Sequence, residues 1–222
     1  MESEALTYPR ILPVGEAAFT VEFGDRVDEV LVAQVQALDA LLADRPPPGF
    51  VEAVPTYRSL LVRYAPQETA AAVVRSALTE ALASLRSATP PAGRLVEIPV
   101  RYGGAHGPDL VSVADHHDLT PREVIRIHTR PTYRVAMLGF APGFAYLLGL
   151  DPRLETPRLE TPRTSVPAGS VGIAGAQTGV YALSTPGGWR IIGQTDLTLF
   201  DPHRPEPFTL QAGDRVRFQE VP

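Results

Sequence analysis

Two arginines five residues apart, Arg158 and Arg163, end the two copies of Leu-Glu-Thr-Pro-Arg that run from Leu154 to Arg163. A guanidinium fork binds a carboxylate through two parallel hydrogen bonds, and Pro157 and Pro162 stiffen the loop that would present it. The pair also reads as a solvated loop balanced by Glu155 and Glu160. Gln177 and Thr178 sit at a turn flanked by Gly175 and Gly179, suited to hydrogen-bonding an amide. Thr195 closes a Gly193-Gln194-Thr195 turn and offers a similar donor. His128 lies four residues after Val124 and one after Ile127, on the apolar face of a capped helix. It could act as a general base near neutral pH, or be a satisfied core residue. His116 and His117 are adjacent, so their side chains diverge on a helix, and no third ligand stands at metal spacing. Phe140, Phe144 and Tyr146 could wall a pocket or a partner interface, or pack a core. Trp189, the only tryptophan, could stack on a ligand or fill a barrel wall.

What is missing narrows the chemistry further. The 222 residues include no cysteine, and all 20 residues of the Lys+Arg total are arginine. Asparagine is absent as well. Without lysine there is no internal Schiff base, biotinyl-lysine or P-loop lysine. Without cysteine there is no thiol nucleophile, disulfide, Cys-zinc site or iron–sulfur cluster. The net charge of −5 argues against nucleic acid as a general partner. The start, MESEALTYPR, is acidic where a signal peptide is basic, and the longest uncharged apolar run, Val135 to Leu150, is broken by Gly139, Pro142, Gly143 and Gly149. The expectation is a soluble, cytoplasmic protein with no membrane segment.

The elements that must position these residues divide into two sets. Residues 1–87 carry the whole net charge of −5, whereas residues 88–222 are neutral. Between them Ser87-Ala88-Thr89-Pro90-Pro91-Ala92-Gly93 has the composition of a linker. The expected domains are therefore 1–87 and 94–222. In the first, a Gly15-containing turn leading into β-rich Ala18–Phe23, a helix carrying Val27, Leu31, Val35, Leu38 and Leu42, strands at Phe50–Val54 and Ser59–Tyr64, and a helix through Val74, Leu78 and Leu85 suggest the order β-β-α-β-β-α. Asp25 or Asp28 is available to cap the first helix, and Arg45-Pro46-Pro47-Pro48-Gly49 ends it. This predicts a small α+β unit with its helices on one face. The second set opens with a strand at Leu95–Val100 and helices near Asp109–His116 and Thr120–Arg130, the latter with Thr120, Pro121 and Glu123 forming a capping box. From Tyr133 onward short apolar runs are punctuated by Gly and Pro at intervals that suggest an all-β barrel or sandwich.

The Gly-rich segments serve tight barrel corners on one reading and close approach of backbone N–H groups to a ligand on the other. Taken in order they are Leu138-Gly139-Phe140-Ala141-Pro142-Gly143-Phe144-Ala145-Tyr146-Leu147, Thr161-Pro162-Arg163, the run Val166 to Gly179, and Pro186-Gly187-Gly188-Trp189 followed by Ile192-Gly193-Gln194-Thr195. In this order they resemble the allophanate hydrolase subunit 1 / 5-oxoprolinase B-subunit family, which includes KipI-type kinase inhibitors. The resemblance implies a small α+β domain followed by a cyclophilin-like β-barrel. It implies a subunit of an ATP-dependent complex that hydrolyses 5-oxo-L-proline to L-glutamate and is inactive alone. The implied partners are a homologous barrel subunit and a larger ATP-handling subunit, with ATP and a divalent metal expected in that larger partner and no cofactor in this chain. Alternatives within the resemblance are an inhibitor that binds a sensor histidine kinase and a subunit of a urea- or allophanate-degrading system. The implied substrate is a small amide or lactam, and 5-oxoproline carries one carboxylate. That assigns Arg158, Arg163 and Thr195 to substrate binding and His128, Gln177 and Thr178 to catalysis. The chain departs from the family pattern at Ile192-Gly193-Gln194-Thr195-Asp196, where Gln194 replaces a basic residue and Asp196 a proline. If that segment lines the site, substrate preference shifts.

Overall fold

The structure is a computed structural model that describes residues 7–85 and 93–222. Two compact units are present, residues 1–91 and 92–222. The acidic start through Leu6 and the linker-like run up to Ala92 lie outside the described residues.

In the first unit β1 (Arg10–Val14), β2 (Ala18–Glu22), α1 (Glu29–Asp44), β3 (Phe50–Pro55), β4 (Ser59–Tyr64) and α2 (Ala71–Leu85) follow the order β-β-α-β-β-α. The strands form an antiparallel sheet, β1-β2-β4-β3. Alternation along β2 and β4 brings Phe19 and Val21 beside Val62 and Leu60 on one face. Val35, Leu38 and Leu42 of α1 and Val74 and Leu78 of α2 pack into the same core. Of the two caps available to α1, Asp28 is the one used, its carboxylate accepting the Val30 N–H at 2.8 Å.

The second unit runs β5 (Leu95–Tyr102), α3 (Leu110–His116), α4 (Pro121–Thr129), β6 (Tyr133–Leu138), β7 (Ala145–Leu148), β8 (Arg163–Val166), β9 (Ser170–Ala174), β10 (Gln177–Val180), β11 (Thr185–Gly187), β12 (Arg190–Gln194) and β13 (Arg215–Glu220). Seven strands close a barrel in the order β10-β7-β6-β13-β5-β12-β9. The choice between barrel and sandwich thus resolves to a barrel, with β8 and β11 paired separately beside it. Neighbours are antiparallel except β5 and β13, which are parallel. Asp214, at the entry to β13, pairs with Arg94 at 2.7 Å and accepts the Gln211 N–H, which fixes the start of that parallel pair. Thr120 and Glu123 make the expected capping box, and Pro121 stands in the first turn of α4. Among the described residues no helix is long and apolar enough to cross a membrane. The uncharged run from Val135 to Leu150 instead doubles back as the β6–β7 hairpin.

His128 is fully buried among the barrel's apolar side chains and stacks on Phe218, ring centroids 4.6 Å apart. Its Nε2 lies 2.9 Å from Thr178 Oγ1, and that hydroxyl donates to the Gly172 carbonyl at 3.0 Å. A hydroxyl has one proton to give, so Nε2–H of His128 donates to Thr178 and Nδ1 accepts from Tyr102 Oη–H at 2.8 Å. Burial therefore holds the imidazole neutral, its pKa down at about 3. Gly169 supplies a second tie. Its N–H donates to the Tyr181 carbonyl and its carbonyl accepts the Thr195 N–H, joining the entry to β9 to the exits of β10 and β12. Its φ of +80° is left-handed, and a Cβ would collide with the Thr195 carbonyl.

Two outcomes follow. Unfolding exposes an imidazole of ordinary pKa 6.5, so the unfolded chain binds the extra proton and this stabilisation is lost as pH falls from 6.5 towards 3. The urea midpoint of the wild type should drop more steeply over that window than that of His128→Gln; parallel slopes would exonerate His128. Gly175 is also left-handed, φ +55°, but has open space around it. Gly175→Ala should cost about 1 kcal/mol and Gly169→Ala more than about 2 kcal/mol in the same unfolding experiment, and equal costs would contradict the collision.

Candidate functional site

A cavity of about 90 Å³ opens where the β6–β7 turn, the exit of β10 and the β11–β12 turn meet. Five rings line it: Phe140, Phe144, Tyr146, Tyr181 and Trp189. Phe144 is the hub, packed edge-on against Tyr146 at 4.8 Å, Tyr181 at 5.1 Å, and Phe140 and Trp189 at 5.4 Å. Such edge-to-face contacts lock ring orientation beyond what apolar burial alone does. Phe140 is held in left-handed backbone, φ 65°, and remains 62% exposed, an uncommon conformation for an aromatic residue that sets one wall of the cavity at the surface. Gly187 and Gly188 complete the lining. Gly187 is required there, because a Cβ would run into the Tyr181 hydroxyl. Burial pushes both the Tyr146 and Tyr181 phenols above their ordinary pKa.

The two arginines of the repeat part company. Arg163 is locked: Nη2 donates to Asp109 Oδ1 at 2.7 Å and Nη1 to the Trp189 carbonyl at 3.4 Å. The other Asp109 oxygen accepts the Ile191 N–H at 2.6 Å. Asp109 and Arg163 together hold both ends of the short segment that carries the Trp189 ring. Arg158 is exposed, lines the cavity, and among the described residues has no carboxylate partner. Neither Glu155 nor Glu160 balances it. The loop carrying it is tied on both sides, by a bridge between Thr156 and Gly175 and by the Leu159 N–H to the Gly188 carbonyl at 2.7 Å.

The remaining candidates lie elsewhere. His128 and Thr178 are brought together, but inside the barrel, with their donors engaged and no exposure. That geometry favours the core-histidine reading over the general base. Gln177 is half-buried at the start of β10 and does not line the cavity. Thr195 is buried, its hydroxyl accepting the Leu197 N–H at 3.1 Å. The segment that departs from the family pattern does not line the cavity either. Gln194 is held by His106 and the Ala168 carbonyl, and Asp196 pairs with Arg101 at 2.6 Å. His117 contacts Thr156 at 3.0 Å, and among the described residues no group of three His, Asp or Glu side chains could hold a metal ion. Two residues that build the cavity escaped the sequence reading. Tyr181 stood at the end of a recognised Gly-rich run without a chemical signal of its own. Asp109 read as a helix start, and its partners lie 54 and 82 residues further on.

Known proteins share this chain's sequence and fold. The family described as carboxyltransferase domain, subdomain C and D, matches residues 9–210. The 5-oxoprolinase B-subunit of Bacillus subtilis (strain 168) is 45% identical over 222 residues, covering 96% of this chain and 92% of that one. The protein of the same name from Escherichia coli O157:H7 is 45% identical over 211 residues, 92% of this chain and 93% of that one. Among solved structures, TTHA0988 superposes with a TM-score of 0.82 at 42% identity over 93% of this chain, which spans only 40% of that longer chain. The urea amidolyase of K. lactis, at 20% identity and a TM-score of 0.72 over 95% of this chain and 15% of that one, shares the fold. The chain belongs to the carboxyltransferase-domain family, subdomains C and D.

Proposed function

We propose that the chain is the B-type subunit of an ATP-dependent 5-oxoprolinase, a complex that hydrolyses 5-oxo-L-proline to L-glutamate. The observation that carries this reading is the 45% identity, nearly end to end, with the B. subtilis 5-oxoprolinase B-subunit. In this reading the chain acts with a homologous barrel subunit and a larger subunit that handles ATP. Lactam opening requires attack on an amide carbonyl whose oxygen gains charge in the transition state, so donors and a dry surface around the substrate are what a contributing subunit supplies. The ring-lined cavity is such a surface, and Arg158 is a cation at its mouth. The chain has no lysine and so no P-loop lysine, which accords with nucleotide handling by a separate subunit.

A mixture of the three subunits should release glutamate from 5-oxo-L-proline with ATP hydrolysis, and omission of this chain should abolish it; glutamate release unaffected by omission overturns the reading. Within the active mixture Arg163→Ala frees Trp189 and strips Asp109 of its cation. It should cost about 1–3 kcal/mol of stability and raise KM more than it lowers kcat. Arg163→Lys, which cannot reproduce the two-armed contact, should recover only part of both. Wild-type melting and KM in Arg163→Ala would show that the clasp does not hold the cavity.

A further inference from the structure

We infer that the aromatic cavity is a receptor for a compact carboxylate with a flat face, with Arg158 as the group that takes the carboxylate. The ligand class follows from the cavity, and the choice of 5-oxo-L-proline as ligand rests on the 5-oxoprolinase reading. Size is the first constraint. A space of about 90 Å³ has the volume of roughly three water molecules in the liquid, room for one small ring and far too little for a nucleotide. Shape is the second. Rings set edge-on around Phe144 offer flat walls, against which the face of a planar amide or small ring packs.

Charge decides between the two classes of ligand that aromatic cavities take. A cage of rings with no cation selects ammonium ligands, because ring faces carry negative potential. Among the described residues the charged side chain lining the cavity is the Arg158 guanidinium, and none of them lines it with a carboxylate. The nearby Arg163 is paired with Asp109 at 2.7 Å, so the positive charge offered to the cavity is that of Arg158. A cation is repelled and an anion attracted. Arg158 is positioned for this and free to do it. Thr156 and Leu159 anchor the loop on either side, Pro157 precedes it, and the Pro157 carbonyl is fixed by Arg190 Nε at 3.3 Å. With no carboxylate paired to it among the described residues, the fork keeps its paired donors for a ligand.

Trp189 is the only tryptophan in the chain and lies in the cavity wall, so its fluorescence reports occupancy directly. The full chain is titrated with 5-oxo-L-proline, with its carboxamide, and with tetramethylammonium chloride. The expected result is a saturable change with the carboxylate, at least fivefold weaker binding of the carboxamide, and no saturable change with tetramethylammonium. Arg158→Gln, an exposed substitution, should weaken 5-oxo-L-proline at least fivefold with an unchanged unfolding midpoint. A smaller effect of either the carboxamide or Arg158→Gln, saturable binding of tetramethylammonium, or no saturable response to the carboxylate overturns the inference. The two proposals fail separately. Carboxylate binding that depends on Arg158 in a chain that supports no glutamate release retires the enzyme reading alone. Glutamate release by Arg158→Gln at the wild-type KM retires the receptor alone.

Discussion

A ring of strands closes only if direction is consistent all the way round, and seven strands cannot alternate up and down without a mismatch. One neighbouring pair must be parallel, and here it is β5 with β13, in register from Leu95–Arg215 to Val100–Glu220. A parallel pair cannot be joined by a hairpin; it needs a crossover. The crossover here is everything between Tyr102 and Arg215, so every other strand of the barrel, both helices and the whole aromatic cavity are suspended between the two strands of that one pair. The Asp214–Arg94 ion pair sits where those strands begin side by side. Closure also removes the open edges that a flat sheet of these lengths would expose.

Within that frame the interior and the rim use polar groups in opposite ways. Inside, Tyr102, His128, Thr178 and the Gly172 carbonyl form a chain whose polarity is fixed at one end by the carbonyl, which can only accept. Such a network specifies one arrangement because any other leaves a buried donor unpaired. At the rim, Asp109 gathers a backbone N–H and a guanidinium from segments far apart in the chain and so fixes a wall, while Arg158 is left open. Satisfaction inside and an open valence outside are the usual division between a core and a place where ligands bind.

How much of this could be read from the chain depends on how local the cause is. The order of elements in the first unit and the capping box of α4 are decided within a few residues and are found as expected, and of the two caps open to α1 the structure uses Asp28. The barrel's turns are announced by Gly and Pro, but which strands pair is set over distances that spacing does not reveal, as the partnership of β5 with β13 shows. His128 has the same ambiguity in any sequence: a histidine on an apolar face is neutral or catalytic according to what surrounds it in space. Phe144 and Trp189 belonged to motifs recognisable at once, whereas their meeting in one cavity depends on the closed ring. Asp109 had no local signal because its role consists of two contacts across 54 and 82 residues.

The repeated Leu-Glu-Thr-Pro-Arg carries a consequence for how the chain can change. Two identical words in succession end in arginines with unlike fates, one embedded beside Asp109 and one facing the opening. Removing residues 154–158 or residues 159–163 yields the same sequence, so the two deletions are one event, and the surviving arginine cannot serve both places. The shortened segment would also have to bridge from the end of β7 to β8 with five residues fewer, roughly 17 Å less reach. Duplication here is not redundancy: once the copies occupied different surroundings, identity of letters ceased to mean interchangeability of parts.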